Sequence, residues 1–363
     1  MRKHIVFVFR NMGAGGAQKI EAFVANTLFE QGYKISILNM DNEACTININ
    51  ENIQVHNLYY NSIEKEKKTV KKQIKKIEYL YKMRRLLLSL KPDLICVFLS
   101  DIVRLTVLAM QGSHVPIVGS ERGDPYQFPY KKIKQYTRAY NQCIGVAFQL
   151  KEAEEVYKLK NNIQKVVIEN PCIPRKTQFP ERKNLEHIII SAGRLTVQKR
   201  FDLLINAFSI VYNMHPEYKL VIYGDGPLKK VLENQIHQKG LEDAVYLPGN
   251  VDDVFQEMSS AEFFVLSSDF EGIPNILMEA MAVGYPCIST DCSPGGAAML
   301  LNGGKRGLLV PRNNSVKLAD AMLQYIENRD LQSYYSNKSR EIIEEYEPNK
   351  IRKKWLEFFD KLL

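Results

Sequence analysis

Residues 267–282 constrain the fold of this chain more than any other part of the sequence. They follow the apolar run 261–266, which is typical of a buried strand. Residues 276–283 are typical of a helix, and a short loop with Gly272 and Pro274 separates the two segments. Because the amino end of a helix carries unpaired N–H groups and a partial positive charge, this strand–loop–helix unit predicts an anion-binding site.

Two glutamates, Glu271 and Glu279, flank this loop and are eight residues apart. Eight residues of one helix rise about 12 Å, whereas the paired carboxyls of glycosidases lie roughly 5 Å apart in retaining enzymes and roughly 6.5–9.5 Å apart in inverting ones. The spacing fits such a pair badly. We expect separate roles, with Glu271 facing a ligand and Glu279 accepting hydrogen bonds from a ribose diol. Two solvated surface side chains are the alternative.

The segment Glu-Gly-Ile-Pro-Asn-Ile-Leu-Met-Glu at 271–279 resembles the Glu-x7-Glu motif of the retaining glycosyltransferases of family four, which have the GT-B fold. The resemblance extends over residues 187–311 and is closest to bacterial enzymes of surface polysaccharides and lipid-linked glycans. The companion segments are Gly193-Arg194-Leu195, Lys199, Gly224-Asp225-Gly226-Pro227, Pro248-Gly249 and residues 286–291.

The resemblance implies an α/β chain with the GT-B architecture, in which two Rossmann-like, doubly wound domains face a cleft. The 363 residues are enough for two such domains. We expect an acceptor domain at 1–171, a linker at 172–186 and a nucleotide-sugar domain at 187–347. In this fold a terminal helix crosses back, so residues 348–363 should pack on the first domain.

The resemblance also implies the donor site. A diphosphate needs positive charge, and Arg194 and Lys199 lie in a loop after a predicted strand, where doubly wound sheets bind ligands. Together with Glu271 they are the expected catalytic residues of the second domain. The other expected donor contacts lie in loops at strand ends or on the helix that follows: Gly15, Gly16, Asn250, Val251, Gly272, Pro274, Asn275, Ile276, Leu277 and Glu279.

The expected reaction transfers a sugar from a nucleotide diphosphate, with retention at the anomeric carbon. We expect a UDP-linked hexose or N-acetylhexosamine as donor, and a glycan or polyprenyl-linked glycan as acceptor. The sequence has no Asp-x-Asp motif for a bridging metal, so neither a metal nor another cofactor is expected. A non-catalytic sugar-nucleotide-binding protein is the alternative, although it would not need Arg194, Lys199, Glu271 and Glu279 together.

The glycine loop after the first predicted strand leaves a second alternative, a nicotinamide-dependent oxidoreductase. Gly13 and Gly15 fit the fingerprint G-x-G-x-x-G, but Gln18 occupies its last position. No acidic residue stands in the expected context after the second strand, although Asp41 comes close. Both observations disfavour the oxidoreductase.

The predicted strand 117–119 ends in Ser-Glu-Arg-Gly-Asp-Pro, where many members of the family have a histidine beside the transferred sugar. This chain has Glu121 and Arg122 instead. We expect at least one of the two to take the sugar-facing, catalytic role. A salt-bridged structural turn is the alternative.

Residues 65–91 carry eleven Lys and Arg against two Glu, within a net charge of +8. Val70, Ile74, Ile77, Tyr81 and Leu88 recur at helical spacing, so the segment predicts a basic amphipathic helix. It is either a solvated surface helix or a binding site for anionic lipids. No recognition module accompanies the charge, so nucleic acid is not expected as a partner.

The longest early apolar run, residues 5–9, is too short for a signal peptide, and no stretch is long enough to span a membrane. The six cysteines form no C-x-x-C pair and should be buried free thiols. We therefore expect a cytoplasmic protein, peripherally associated with the inner face of the cell membrane.

Overall fold

The computed structural model describes residues 3–13, 15–41, 45–58, 70–173, 181–182 and 185–363, with only the backbone described at 70–73. The chain divides into two compact units. The first contains Met1–Asn170 and Asn349–Leu363, and the second contains Pro171–Pro348.

A parallel sheet of seven strands forms the centre of the first unit, in the order β3-β2-β1-β4-β5-β6-β7. Its strands are β1 His4–Phe9, β2 Lys34–Asn39, β3 Gln54–Asn57, β4 Leu94–Phe98, β5 Ile117–Glu121, β6 Gly145–Phe148 and β7 Gln164–Val167. The helices that follow them are α1 Gly16–Glu30, α2 Val70–Ser89, α3 Ser100–Ala109, α4 Tyr130–Tyr140 and α5 Lys151–Tyr157. The central strands β1 and β4 are buried along their whole length, as their continuous apolar sequences require.

The second unit has a parallel sheet of six strands, in the order β10-β9-β8-β11-β12-β13. Its strands are β8 Ile188–Ala192, β9 Lys219–Tyr223, β10 Val245–Gly249, β11 Phe263–Leu266, β12 Cys287–Thr290 and β13 Leu308–Val310. Its helices are α6 Phe201–Met214, α7 Lys229–Gln238, α8 Val254–Glu257, α9 Asn275–Val283, α10 Gly296–Leu300, α11 Ser315–Glu327, α12 Arg329–Ser339 and α13 Glu341–Glu345. The predicted strand–loop–helix unit is therefore β11, a loop and α9.

The last helix, α14 Pro348–Asp360, packs on the first unit. Its aromatic side chains Trp355, Phe358 and Phe359 join the core around β1 and β4. The Trp355 ring stacks on Phe98, with 5.7 Å between the ring centroids. The two ends of the chain thus build one hydrophobic core.

The described part of segment 172–186 is attached to the second unit through Arg182. Its guanidinium donates hydrogen bonds to the carbonyl oxygens of Ala261, Glu262 and Gly284. It also lies 4.5 Å from the centre of the Tyr285 ring. These contacts fix Arg182 to the two residues before β11 and to the turn after α9.

Helix α2 buries a different face from the stripe that its sequence singles out. Tyr79, Met83 and Leu87 are buried, whereas Ile77 is 69% exposed and Ile74, Tyr81 and Leu88 are also exposed. Residues 65–69 of the predicted helix lie outside the described residues. The exposed stripe therefore remains on the surface of the unit, among the basic side chains of the helix. Within the described ranges, no helix is long and apolar enough to cross a membrane.

Candidate functional site

The carboxyl edge of the second sheet has a crevice between β8 and β11. From β8 the chain proceeds outward to β9 and β10, and from β11 it proceeds outward the other way to β12 and β13. Loops on either side of such a reversal diverge, and doubly wound sheets bind their ligands there. The predicted cations lie in the loop after β8, and the first predicted glutamate lies in the loop after β11.

Hydrogen bonds join these two loops directly. The Ser267 hydroxyl donates to the carbonyl oxygen of Lys199 at 2.7 Å. The Asp269 N–H donates to the carbonyl oxygen of Gln198 at 2.9 Å, and the Gln198 side chain donates to that of Phe270 at 2.8 Å. Hydrogen bonds therefore hold the two loops that form the crevice in a fixed position relative to each other.

An ion pair between Lys199 and Glu271 lies at the centre of this edge. Lys199 Nζ donates to Glu271 Oε1 at 2.6 Å, and the Ser268 hydroxyl donates to the same oxygen at 2.8 Å. The two side chains are only 15% and 13% exposed. An ammonium has three protons, so Lys199 keeps two donors for another acceptor. Among the described residues, Glu271 Oε2 accepts no hydrogen bond.

Arg194 stands at the start of the same loop and is exposed. Its guanidinium makes no hydrogen bond to the described residues. The loop after β9 packs against this segment so closely that a Cβ on Gly224 would lie 2.0 Å from the Gly193 oxygen. Gly224 also has φ +131°, so both space and backbone require glycine there. The arrangement presents Arg194 at the rim of the crevice.

Helix α9 begins beside the ion pair, one residue earlier than predicted. Asn275 is its first residue, and Gly284 ends it in the left-handed conformation with φ 93°. The Leu277 N–H donates to the Pro274 oxygen at 3.0 Å, and the predicted contact of Leu277 with the nucleotide sugar stays a prediction. The predicted donor role of Ile276, one residue earlier on the helix, stays a prediction.

The loop after β12 supports the Glu271 loop from the other side. The Glu271 N–H donates to the Ser293 oxygen at 2.8 Å. A Cβ on Gly296 would lie 1.9 Å from the Gly272 oxygen, so the two backbones touch. Three consecutive loops of the sheet edge thus hold Glu271 in place.

The remaining predicted contacts of this unit with the nucleotide sugar are Glu279, Asn250 and Val251. Glu279 is half-buried on α9, and its charge adds to burial in raising the pKa of Cys172 to about 12. Asn250 and Val251 follow β10, two strands away from β8, which corresponds to roughly 10 Å. Across the described residues, no three His, Cys, Asp or Glu side chains form a cluster able to hold a metal.

In the first unit, Glu121 is a buried carboxylate with all its hydrogen bonds satisfied. Its Oε1 accepts from the N–H groups of Arg122 and Gly123, both at 2.9 Å. Its Oε2 accepts from the hydroxyls of Tyr157 at 2.5 Å and Tyr140 at 3.2 Å, and from that of Ser100. The side chain is 2% exposed. The predicted sugar-facing role is therefore wrong for Glu121, which ties β5 to three helices.

Arg122 is also part of the core. Its guanidinium donates to Ser120 at 2.9 Å and to the Ile168 oxygen at 3.1 Å. It lies 5.2 Å and 5.1 Å from the ring centres of Phe98 and Trp355, and burial lowers its pKa to about 9. The predicted catalytic role is wrong for this buried side chain as well. The alternative, a salt-bridged structural turn, is right about the structural role of both residues, but among the described residues no ion pair joins Glu121 to Arg122 and Arg122 Nη2 has no hydrogen-bond partner.

In the first unit, the side chain of Gln18 lies against the glycine loop that follows β1. Gly15 precedes α1, and Gly16 is the first residue of that helix. Gln18 donates to Asn11 at 3.0 Å, and its Oε1 lies 2.2 Å from where a Cβ on Gly15 would be. Any side chain at position 15 would require the Gln18 side chain to move, and the predicted contacts of Gly15 and Gly16 with the nucleotide sugar stay predictions.

Sequence reasoning missed an ion pair in the crevice of the first sheet. Strand order reverses between β1 and β4, and Arg10 and Asp101 lie just beyond those two strands. Arg10 Nη1 donates to Asp101 Oδ2 at 3.2 Å. The position of Arg10 one residue after β1 was the available signal, since ligands bind beyond the carboxyl ends of such strands.

Each of the two units matches a known protein family. Residues 173–342 match the family described as glycosyl transferases group 1, and residues 18–158 match the family described as glycosyl transferase 4-like. A glycosyltransferase of Haemophilus influenzae is 28% identical, with 97% of this chain and 99% of that protein covered. The N-acetylgalactosamine-N,N'-diacetylbacillosaminyl-diphospho-undecaprenol 4-alpha-N-acetylgalactosaminyltransferase of Campylobacter jejuni is 26% identical, with 99% of each covered.

Solved structures share the fold over the whole chain. TarM of Staphylococcus aureus, solved with fondaparinux, alpha-GlcNAc-glycerol and UDP, has a TM-score of 0.80 at 17% identity, covering 98% of this chain and 99% of that one. HepE of Anabaena, solved with UDP and glucose, has a TM-score of 0.81 at 16% identity, covering 99% and 100%. Since the two family matches fall on the two units and the fold agrees, this chain belongs to the group 1, family-four glycosyltransferases with the GT-B fold.

Proposed function

We propose that this glycosyltransferase is retaining and metal-independent, and that it moves a hexose or N-acetylhexosamine from a UDP-linked donor to a glycan acceptor. The observation that carries the proposal is the Lys199–Glu271 pair at the sheet reversal, 2.6 Å apart and mostly shielded from water. It places a cation for a phosphate directly beside a carboxylate with one open oxygen, which suits the hydroxyls of the transferred sugar.

In this proposal the chain's own cations replace a metal. When the bond to the sugar breaks, negative charge accumulates on the leaving diphosphate. The two remaining N–H donors of Lys199 and the planar fork of Arg194 stabilise that charge. The amino end of α9 adds its partial positive charge. Donors fixed before the reaction stabilise a developing charge without reorganising, which is a large source of rate enhancement.

Glu271 has two functions in the proposed mechanism. Its Oε1 holds the ammonium of Lys199 and the hydroxyl of Ser268, which orients the cation. Its Oε2 accepts hydrogen bonds from sugar hydroxyls and so positions the anomeric carbon. Glu279 holds the ribose diol, and Asn250 and Val251 contact the base. We assign no covalent nucleophile.

The similar proteins support the proposed substrates. UDP is bound in the TarM and HepE structures, and a lipid diphosphate appears in the name of the Campylobacter relative. We therefore propose a UDP-linked donor, and a glycan on a polyprenyl carrier as the acceptor. Both substrates fit an enzyme of cell-surface polysaccharide synthesis.

The test of the proposal is donor turnover. The protein is incubated with UDP-glucose, UDP-galactose, UDP-N-acetylglucosamine and UDP-N-acetylgalactosamine, with p-nitrophenyl glycosides as acceptor probes and with or without EDTA. We expect one donor to release UDP at an unchanged rate in EDTA, and NMR to show an α-linked product. Absence of UDP binding and turnover contradicts the donor, loss of activity in EDTA contradicts metal independence, and a β-linked product contradicts retention.

We also propose that the first unit attaches peripherally to an anionic membrane at the cytoplasmic face. The exposed Ile74, Ile77 and Tyr81 of α2 lie among lysines and arginines of the same helix. Helix α3 packs between α2 and α4, and α4 exposes Tyr130 beside its own basic side chains. Exposed apolar residues bordered by cations are what an interfacial surface requires.

Vesicle sedimentation tests this attachment. Reversing Lys75 and Lys82 to Glu should weaken binding to phosphatidylglycerol vesicles more than tenfold, because each surface cation contributes about 1 kcal/mol. Binding should also fall with salt and be absent with phosphatidylcholine. The matched control reverses Lys230 and Lys239 to Glu, two exposed lysines of the second unit. Equal binding by the double variant and the control would contradict the assigned surface.

A further inference from the structure

Arg200 lies between Lys199 and the first residue of α6, in a backbone conformation that favours glycine. Its φ is 50° and its ψ is 42°, in the left-handed region that residues with a side chain rarely adopt. A residue other than glycine persists in this region where the surrounding structure holds it, and such positions concentrate at functional sites. The Arg200 side chain therefore has a role that glycine, with the easier backbone, could not fill.

The guanidinium of Arg200 makes two sets of contacts. Locally, Nε and Nη2 donate to the two carboxylate oxygens of Asp202, each at 3.1 Å. Across the sheet reversal, Nη1 donates to the two carboxylate oxygens of Asp269 at 3.2 and 3.1 Å, and to the side-chain oxygen of Asn313. Arg200 and Asp269 are mostly shielded from water. The second set of contacts connects the loops after β8, β11 and β13.

Asp269 is fixed on its own side of the pair by its backbone. Its N–H donates to the Gln198 oxygen at 2.9 Å, and its carbonyl oxygen accepts from the Ser293 N–H and from Arg312 Nη1, both at 3.2 Å. Among the described residues, its carboxylate receives hydrogen bonds from Arg200 alone. Asp269 is therefore a rigid anchor whose side chain is committed to Arg200.

The Arg200–Asp269 pair is adjacent in sequence to the Lys199–Glu271 pair. Arg200 follows Lys199 directly, and Asp269 precedes Glu271 by two residues. The stem of Lys199 packs against Gly193, where a Cβ would lie only 2.9 Å from Lys199 Cε. Because the side chain has no room to move toward that side, a shift of the Lys199 backbone would displace Nζ from Glu271.

We propose that the Arg200–Asp269 ion pair positions Lys199 against Glu271, so that Arg200 and Asp269 are positioning residues of the transferase. The inference rests on the proposed function, in which Lys199 stabilises the leaving diphosphate. Arg200 and Asp269 act through the backbones of their loops. A misplacement of about 1 Å can cost much of a catalytic group's effect. Loss of the Arg200–Asp269 pair should therefore lower kcat more than it raises the KM of the donor.

The kinetic test compares the two carboxylates that Arg200 contacts. Asp269→Ala removes the anchor across the sheet reversal and should lower kcat about tenfold or more, with KM changed less than about threefold. Asp202→Ala is the matched control, because it removes the partner on the helix that Arg200 itself precedes. Its kcat per folded molecule should stay within about twofold of the parent. Equal losses of kcat in the two variants would contradict the positioning role.

Combination with Lys199→Ala separates positioning from general damage to the fold. No cation is left to misplace in that background, so adding Asp269→Ala should change kcat by less than about twofold. A merely structural role would lower kcat by the same factor in both backgrounds, and that result would overturn the proposal.

Substitutions of Arg200 test its charge apart from its backbone. Arg200→Lys keeps the charge and should retain more activity than Arg200→Gly, which suits the left-handed backbone but has no side chain. A kcat equal to that of the parent in Arg200→Gly would also overturn the proposal, since the ion pair would then not be needed.

Crystal structures of the parent and of Asp269→Ala separate this proposal from the proposed function, because they require no turnover. We expect the contact between Lys199 and Glu271 to be broken in the variant. If the contact stays intact, the positioning role is refuted even where the parent transfers sugar. A broken contact, in a protein that neither binds nor turns over any UDP-sugar, would support the positioning of Lys199 by the Arg200–Asp269 pair and refute the proposed reaction.

Discussion

Glu121 and Glu271 both lie at the carboxyl edge of a parallel sheet, where Glu121 ends β5 and Glu271 lies in the loop five residues after β11. Glu121 receives five hydrogen bonds and is inaccessible. Glu271 receives two side-chain hydrogen bonds, both on one oxygen, and remains partly exposed. Position at a strand end thus does not distinguish a structural carboxylate from a site residue. The supply of local donors does.

The largest effect should come from removing the cation that pairs with Glu271. Lys199→Ala should lower kcat roughly 100-fold or more, the scale of losing one donor that stabilises charge in the transition state. Some loss of thermal stability is expected as well, because Glu271 loses its cation in a place mostly shielded from water, so turnover is normalised to the folded protein. The measurement is UDP release, with Lys239→Ala as the control. Near-normal turnover in Lys199→Ala would remove this residue from the mechanism.

Glu121→Ala should have the opposite profile. The change leaves the buried hydroxyls of Tyr140, Tyr157 and Ser100 without their acceptor, so we expect roughly 2–3 kcal/mol lower stability. Turnover per folded molecule should stay within about twofold, an effect of less than about 0.5 kcal/mol. Melting temperature and active-site-normalised rate together check this. A stable variant with a 100-fold lower rate would restore the sugar-facing role.

A third carboxyl, Glu21 on α1, extends the comparison. It is buried, and its Oε1 has no donor among the described residues. Burial raises its pKa well above the ordinary value, and hydrogen bonding from Phe98 and attraction to Arg122 offset this only in part. With too few donors, this carboxyl is neutral in the folded state over a wider pH range than in the unfolded state.

The raised pKa of Glu21 makes the stability of the fold depend on pH. Between its unfolded and folded pKa the folded chain binds the extra proton, so the free energy of unfolding falls as pH rises, by up to about 1.4 kcal/mol per pH unit. Glu21→Gln should remove this pH-dependent loss of stability. The free energy of unfolding of the variant should therefore rise relative to that of the parent as pH increases from 5 to 8. Urea unfolding at several pH values measures it. A constant difference between variant and parent would show that Glu21 is ionised in the fold.

Much of the candidate site in the second unit could be predicted because it is local in sequence. The strand, loop and helix around Gly272 follow from apolar runs and turn residues, and Lys199 follows from its place after a predicted strand. The pairing of Lys199 with Glu271 requires β8 and β11 to be neighbours, which local patterns do not specify. The saturation of Glu121 similarly depends on hydroxyls from α3, α4 and α5.

The exposed stripe of α2 shows a further limit. Helical periodicity in the sequence identified one apolar face of this helix. The helix has a second apolar face, and periodicity does not say which of the two is buried. The neighbouring elements decide which face is buried, and they cover Tyr79 and Met83 rather than Ile77 and Tyr81. The hydrogen bond from Asn39 to Asn57 shows the same limit, since these residues meet only through the register of β2 and β3.

The smallest effect is expected from removing the Ser268 hydroxyl, the second hydrogen-bond donor to Glu271. Ser268→Ala removes the hydroxyl that shares Oε1 with Lys199, at a cost of about 1 kcal/mol. Turnover should fall about fivefold, because the carboxylate loses one of the two contacts that orient it. The matched change Ser267→Ala removes a hydroxyl that bonds the loop backbone instead, so it should affect stability more than rate. Equal effects of the two serines would mean that Glu271 is positioned by its backbone alone, and the comparison with Glu121 would then rest on exposure rather than on donors.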